Sequence, residues 1–284
     1  MIMTNTKLNL QYIGIGSGKC GSTWIHELIV KHPEACDKNL KELNYFSDLY
    51  EAHDFDWYQS QFKKCCPDSV KGEFSVTYLA NPKAPIRIKK HFPEVKLIVT
   101  VRNPVKRAFS NYLHSIRKGD ISKKMSFRDY TKNENNLAPG RYCEYVKRFY
   151  DEFPKEQIHV IVLEEFLKDI PAGIKALYSH IGIKNVDFLP EGFDVPSNDA
   201  KNYRFLLLEN VLVRCYRWLS WKGQTRFVKW VLDSGIAKAL RRINSSRDPL
   251  PTIDEESSKM LSDYFSPYNK KLEAIIGTQI NSWQ

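Results

Sequence analysis

The apolar positions of this chain fall into short runs that alternate with stretches of helical periodicity. Leu10 to Ile15 ("LQYIGI") is a compact apolar segment of strand character, and Trp24, Ile25, Leu28 and Ile29 recur at helical spacing within Ser22 to His32. The pattern predicts a strand, a glycine loop and a helix, in that order. Val95 to Val101 is a near-continuous apolar run, as expected of a strand covered on both faces, and Pro104 suits the first turn of a helix behind it. Arg141 to Asp169 reads as an amphipathic helix, a turn around Pro154 and a buried strand from Ile158 to Leu163, and Gly173 to Ile183 is helical again. Strands alternating with helices predict the α/β class. No internal repeat or low-complexity segment breaks the pattern.

The first loop, "GIGSGKCGST" (Gly14 to Thr23), carries the clearest chemistry. Between a strand and a helix start, such a loop aims backbone N–H groups and the positive end of a helix dipole at its centre, so an anion is the natural occupant. Gly16, Gly18 and Gly21 stand so close to Lys19, Ser22 and Thr23 that an anion site is favoured over a turn whose glycines only relieve strain. An ATP or GTP loop requires G-x-x-x-x-G-K-S/T, and the chain fails that test: Ile13 occupies the opening glycine position and Cys20 follows Lys19. Gly16, Gly18 and Gly21 do satisfy the dinucleotide pattern G-x-G-x-x-G, but there Lys19 has no role and Asp37 is a marginal ribose-binding acid.

"GSGKCGSTWI" (Gly16 to Ile25) resembles the 5′-phosphosulfate loop of the sulfotransferases that use 3′-phosphoadenosine 5′-phosphosulfate (PAPS). The resemblance implies that Lys19 approaches the oxygen bridging phosphate and sulfate, and that Cys20, Gly21, Ser22, Thr23 and Trp24 bind the 5′-phosphate end. It also implies a second anion site at the end of a neighbouring strand. "VKLIVTVRNPVKRAFSNYLH" (Val95 to His114) supplies it: Arg102 sits at a strand's carboxyl end, where open α/β sheets bind ligands, and its planar fork suits a phosphate. Ser110 follows about two helical turns later. An arginine and a serine so spaced resemble the family's 3′-phosphate motif. The implied fold is a three-layer α/β/α arrangement around a mostly parallel sheet, as one sulfotransferase domain over residues 1–284, closed by the helical tail Ile253 to Gly277. The implied co-substrate is PAPS, released as 3′-phosphoadenosine 5′-phosphate (PAP), with no metal expected.

Between the donor motifs, "KELNYFSD" (Lys41 to Asp48) resembles the K-E-x-x-F-F segment of glycan sulfotransferases, whose glutamate is taken as the base. Glu42 is therefore the candidate base, since an alcohol must lose its proton as it attacks sulfur. Lys41, Tyr45 and Phe46 are expected beside the acceptor. "GEFSVTY" resembles the family's G-E-K-S/T-P-x-Y segment and assigns Glu73 and Tyr78 to the acceptor pocket. Phe74 stands where many members have a lysine that approaches an acidic sugar, which weighs against a highly anionic glycan. The expected acceptor group is a hydroxyl, less readily an amine, on a carbohydrate, lipid or small molecule.

Composition adds two constraints. The chain has 284 residues, enough for one large core, and no run approaches the ~18 to 20 apolar residues that cross a bilayer. The start, "MIMTNTKLNLQ", lacks an apolar signal region, and six cysteines without C-x-x-C or zinc spacing suggest reduced thiols, so a cytoplasmic location is expected. The net charge of +10 is concentrated between Lys201 and Arg247, where eleven basic residues face two acids among Trp218, Trp221 and other apolar side chains. This segment is expected to be either a helical lid or a basic amphipathic contact with an anionic membrane surface, with no nucleic-acid partner. By resemblance, Arg204 within it adds to the 3′-phosphate site. Two other function classes compete: a P-loop nucleotide kinase, and a non-catalytic basic binder of membrane or nucleic acid that depends on the basic segment alone.

Overall fold

The computed structural model describes residues 8–36, 40–195 and 252–283. Its sheet has four strands, β1 (Tyr12–Gly16), β2 (Gly72–Phe74), β3 (Lys96–Val101) and β4 (Ile158–Val162), in the order β2-β1-β3-β4. All neighbours are parallel, with Tyr12 opposite both Gly72 and Lys96, and Leu97 opposite Ile158. The helices are α1 (Ser22–Val30), α2 (Phe55–Ser60), α3 (Ala84–His91), α4 (Pro104–Lys118), α5 (Phe127–Thr131), α6 (Glu134–Leu137), α7 (Tyr142–Tyr150), α8 (Leu163–Phe166), α9 (Ile170–Ile181) and α10 (Glu255–Ile276).

Strand alternation divides the apolar residues between the two faces of the sheet. Ile13, Ile15, Leu97, Val99 and Val101 pack with Ile88 of α3, Val146 and Phe149 of α7, and Leu272 of α10. Tyr12, Phe74 and Ile98 point the other way, against Trp24, Ile25 and Leu28 of α1 and Ile174, Leu177 and Tyr178 of α9. The result is the three-layer α/β/α arrangement. It leaves the carboxyl ends of β1 and β3 to run directly into the two loops singled out above.

The described residues form two compact units. The first, comprising 8–36, 40–107, 137–195 and 260–283, contains the whole sheet. The second, 108–136 and 252–259, is built on aromatic packing: Phe127 meets Phe109 edge-on at 5.1 Å and Tyr112 at 5.5 Å, and the Tyr112 hydroxyl donates to Met125 O at 2.7 Å. Arg128 pairs with Glu256 at 3.0 Å in the same unit.

Three expectations are corrected. β4 is only partly buried, with His159, Val160 and Val162 half-covered, because it lies at the edge of the sheet. α9 begins at Ile170, before Gly173, because the Asp169 side chain accepts from Ala172 N–H as an N-cap and Pro171 fits the first turn. Not all cysteines are free thiols: Cys36 and Cys65 form a disulfide, their Cα atoms 5.3 Å apart. The pairing arises because Ala35 bridges to Val70 and Cys36 N–H donates to Val70 O at 2.9 Å, which draws the end of the α1 turn toward the chain that follows α2. Cys20, Cys66 and Cys143 are free thiols. Among the described residues no helix is long and apolar enough to cross a membrane. Asp37 and the basic segment with Arg204 lie outside the described residues.

Candidate active site

The glycine loop leaves β1 at Gly16 and is laced to β3. Ser17 N–H donates to Thr100 O at 2.9 Å, and the Thr100 hydroxyl returns a bond to Gly16 O at 3.1 Å. Lys19 holds a left-handed backbone with φ of 71°, a conformation that costs a non-glycine residue roughly 1–2 kcal/mol. Gly21 follows with φ of 82°, a left-handed backbone that favours glycine, and a Cβ there would stand 2.9 Å from Leu163 Cδ1. Gly21 caps α1 without a side-chain hydrogen bond, so the first amides of the helix point outward with no protein side chain bound to them among the described residues. Such a terminus attracts an anion.

The side chains next to Lys19 divide between this surface and the core. The Cys20 sulfur is fully buried, 3.3 Å from the Tyr142 hydroxyl, and burial pushes its thiol pKa up. The Trp24 ring is buried edge-on against Phe166 at 5.4 Å. Cys20 and Trp24 therefore reach the loop surface through their backbone, whereas Lys19 and Thr23 are partly exposed and Ser22 is nearly covered.

Arg102 stands at the carboxyl end of β3, half-buried, and among the described residues its guanidinium makes no hydrogen bond or ion pair. Its backbone is tightly held. The Tyr142 hydroxyl donates to Arg102 O at 2.9 Å, and the next amide, Asn103 N–H, donates to both Glu164 oxygens at 3.0 and 3.1 Å. Glu164 also accepts from Trp283 Nε1 at 2.9 Å. Asn103 Oδ1 caps α4 by accepting from Val105 N–H at 3.0 Å. Ser110 lies farther along α4, in the second unit.

The segment with the candidate base lies against the chain that leaves β2. Glu42 has φ of 58°, donates its N–H to Phe74 O at 2.8 Å and accepts from Val76 N–H at Oε2, 3.2 Å away. Lys41 Nζ is 2.7 Å from the other oxygen, Oε1, and 5.6 Å from the centroid of the Phe74 ring. Val76 also faces the glycine loop: a Cβ at Gly16 would stand 3.2 Å from Val76 O, and one at Gly18 would stand 3.9 Å from Val76 Cγ2. Glu42 and the loop that carries Lys19 thus share one neighbour.

Tyr45, Phe46, Glu73 and Tyr78, expected to line an acceptor pocket, lie in the core at 2% exposure or less. Glu73 accepts from the Tyr78 hydroxyl at 2.6 Å, the Tyr58 hydroxyl at 3.2 Å and the Ser75 hydroxyl at 2.6 Å. Burial raises its pKa to about 7, against the lowering effect of these three donors. Ser75 Oγ in turn accepts from Asn44 N–H at 3.0 Å, so the network supports the bend that presents Glu42. Phe74 does not face an acceptor: its ring covers Gly14, where a Cβ would fall 2.1 Å from a ring carbon. The contributions of Tyr142, Glu164 and Thr100 had no sequence signal, because each acts through a contact distant along the chain.

A cavity of about 550 Å³ opens at the other end of the sheet, lined by Gln11, Phe92, Lys96 and His180 among others, and it contains none of these groups. Among the described residues no three His, Cys, Asp or Glu side chains gather as metal ligands.

The sulfotransferase domain family model matches residues 11–192. Human bifunctional heparan sulfate N-deacetylase/N-sulfotransferase 2 is 24% identical over 298 residues, covering 96% of this chain and 30% of that protein. The membrane-associated sulfotransferase kil1 of Dictyostelium discoideum is 32% identical over 109 residues, 37% of this chain and 23% of its own. The chain thus spans less than a third of the length of these curated relatives. In fold it is similar to a sulfotransferase from Alicyclobacillus acidocaldarius, with a TM-score of 0.68 at 24% identity over 97% of this chain and 99% of the other. Because the family match runs from just before β1 to beyond α9 and takes in both loops at the carboxyl ends of the strands, the chain belongs to the sulfotransferase domain family.

Proposed function

We propose that this chain forms a single catalytic domain that transfers the sulfuryl group of PAPS to a hydroxyl or amine of a carbohydrate or small-molecule acceptor. The observation that carries the reading is the meeting at Val76, where the loop bearing Lys19 and the carboxylate of Glu42 lie against the same residue. A bound donor would supply an electrophilic sulfur and a phosphate leaving group. The first amides of α1, which no side chain among the described residues caps, suit its 5′ end, and the fork of Arg102, without a partner among the described residues, suits its 3′-phosphate. Ser110 and Arg204 join Arg102 in this role by sequence resemblance. Lys19 offsets charge that develops on the departing oxygen, as preorganised cations do. Glu42 removes the acceptor proton, and Lys41, already bonded to it, orients the carboxylate and meets the acceptor. Tyr45, Phe46, Glu73 and Tyr78 form the wall behind that segment.

An amino group on a glycan is the acceptor favoured by the relatives named as heparan sulfate N-sulfotransferases. The direct experiment is transfer of radiolabelled sulfuryl from PAPS to N-deacetylated and N-acetylated glycans, lipid alcohols and phenols. Transfer to the N-deacetylated glycan above the others supports the reading. No transfer to any acceptor, with ATP raising the melting temperature more than PAP does, overturns it.

Two finer points belong to the same proposal. A lipid acceptor or peripheral membrane contact would use the basic segment. It predicts salt-sensitive sedimentation with anionic vesicles, lost when Trp218 and Trp221 become serine and Arg226 and Lys229 become glutamine. The cytoplasmic location competes with the Cys36–Cys65 bridge, because disulfides persist mainly in oxidising surroundings. Alkylation of intact cells before lysis, followed by mass mapping of Cys36 and Cys65, decides between them.

A further inference from the structure

Tyr142 is the side chain on which the two donor segments converge. It opens α7 directly after a tight passage at Gly140, where a Cβ would stand 2.8 Å from Phe265 and 3.1 Å from Pro104. Its ring is buried and lies 6.0 Å from that of Trp283. Its hydroxyl donates to the Arg102 carbonyl at 2.9 Å and sits 3.3 Å from Cys20 Sγ. A phenol has a single proton, and with that proton on the carbonyl only the thiol can donate across the 3.3 Å contact, its other acceptor being Gly18 O at 3.7 Å. The sequence Cys20 S–H, Tyr142 O–H, Arg102 C=O is therefore one buried chain from the glycine loop to the end of β3. Burial raises the pKa of both the phenol and the thiol, which keeps both protons in place at neutral pH. Glu164 fixes the following amide, so the Arg102 backbone is anchored on both sides while its guanidinium has no partner among the described residues.

We infer that Tyr142 is a positioning residue for the donor, whose hydroxyl locks the backbone under Lys19 to the backbone under Arg102 and so sets the span between the two anion sites. The inference rests on the proposed donor reading of those two segments. It differs from a packing role in one respect: losing the hydroxyl must change recognition of a ligand that engages both segments more than recognition of one that engages only the first.

Tyr142→Phe keeps the ring and deletes the hydroxyl. Thermal-shift titration of the full chain with PAP and with AMP should show PAP affinity falling about tenfold and AMP affinity about threefold or less. In an Arg102→Ala background the same substitution should change PAP affinity by less than about twofold, because the two changes act on one contact. An unchanged ratio of PAP to AMP affinity, or full additivity with Arg102→Ala, overturns the inference even if the melting temperature of the free protein falls. If Arg102→Ala itself fails to distinguish PAP from AMP, the donor reading fails and the inference with it. Should Tyr142→Phe not fold, Cys20→Ala cuts the same chain at its other end. A larger loss of PAP affinity than of AMP affinity then supports the inference, and an unchanged ratio of the two overturns it.

Discussion

Val76 N–H donates to Glu42 Oε2 at 3.2 Å, and no other acceptor for this amide is found among the described residues. Val76→Pro therefore removes one donor to the candidate base, at the position where the G-E-K-S/T-P-x-Y segment carries proline. Turnover should fall about tenfold, the scale of one hydrogen bond to a charged group, with PAP affinity unchanged. Steady-state kinetics beside PAP titration checks this. Unaltered turnover would mean that the bond does not orient the reacting carboxylate.

Lys19→Ala and Glu42→Gln should each lower turnover by roughly a hundredfold or more, as expected for a lost electrostatic stabiliser and a lost base. The two should separate in binding. Glu42→Gln keeps PAP affinity because the amide preserves shape, whereas Lys19→Ala weakens it. Normal turnover in Glu42→Gln would transfer the role of base to another group.

Glu73 ties stability to pH. Its folded pKa of about 7 lies above the ordinary carboxylate value, so the folded state holds this proton more tightly than the unfolded state. Its stabilising contribution is complete below about pH 4.5 and is lost as pH rises through about 7, a swing on the order of 3 kcal/mol. Glu73→Gln should flatten urea-denaturation stability across this window relative to the wild type. Parallel pH curves for the two proteins would show that Glu73 stays ionised in the fold.

The Cys36–Cys65 bridge closes a loop with a sequence separation of 29 residues. Reduction, or Cys65→Ser, should cost roughly 3.6 kcal/mol by the loop-entropy argument, whereas Cys66→Ser should leave stability unchanged because that thiol is exposed and free. Urea midpoints with and without reductant measure the difference. Equal midpoints would show that the bridge constrains little.

The residues around Lys19 and Arg102 were legible in the sequence because their structure is local. An apolar run, a glycine loop and a helical period determine β1 and α1, and the same logic with Pro104 determines β3 and α4. Periodicity reports that a face is buried but not what covers it. It could not show that β1 runs between β2 and β3, that Phe74 turns over Gly14 and away from any acceptor, or that Glu73 is enclosed by three hydroxyls from two separate segments. Cysteine spacing likewise pointed to free thiols, while the pairing of Cys36 with Cys65 follows from the bridge between Ala35 and Val70. Tyr142 carries no motif, and only the packing of α7 against the sheet brings its hydroxyl to both Cys20 and Arg102. The chemistry at each strand end is thus written in neighbouring residues, whereas the distances between strand ends are set by contacts that close over tens of residues, which a one-dimensional pattern does not encode.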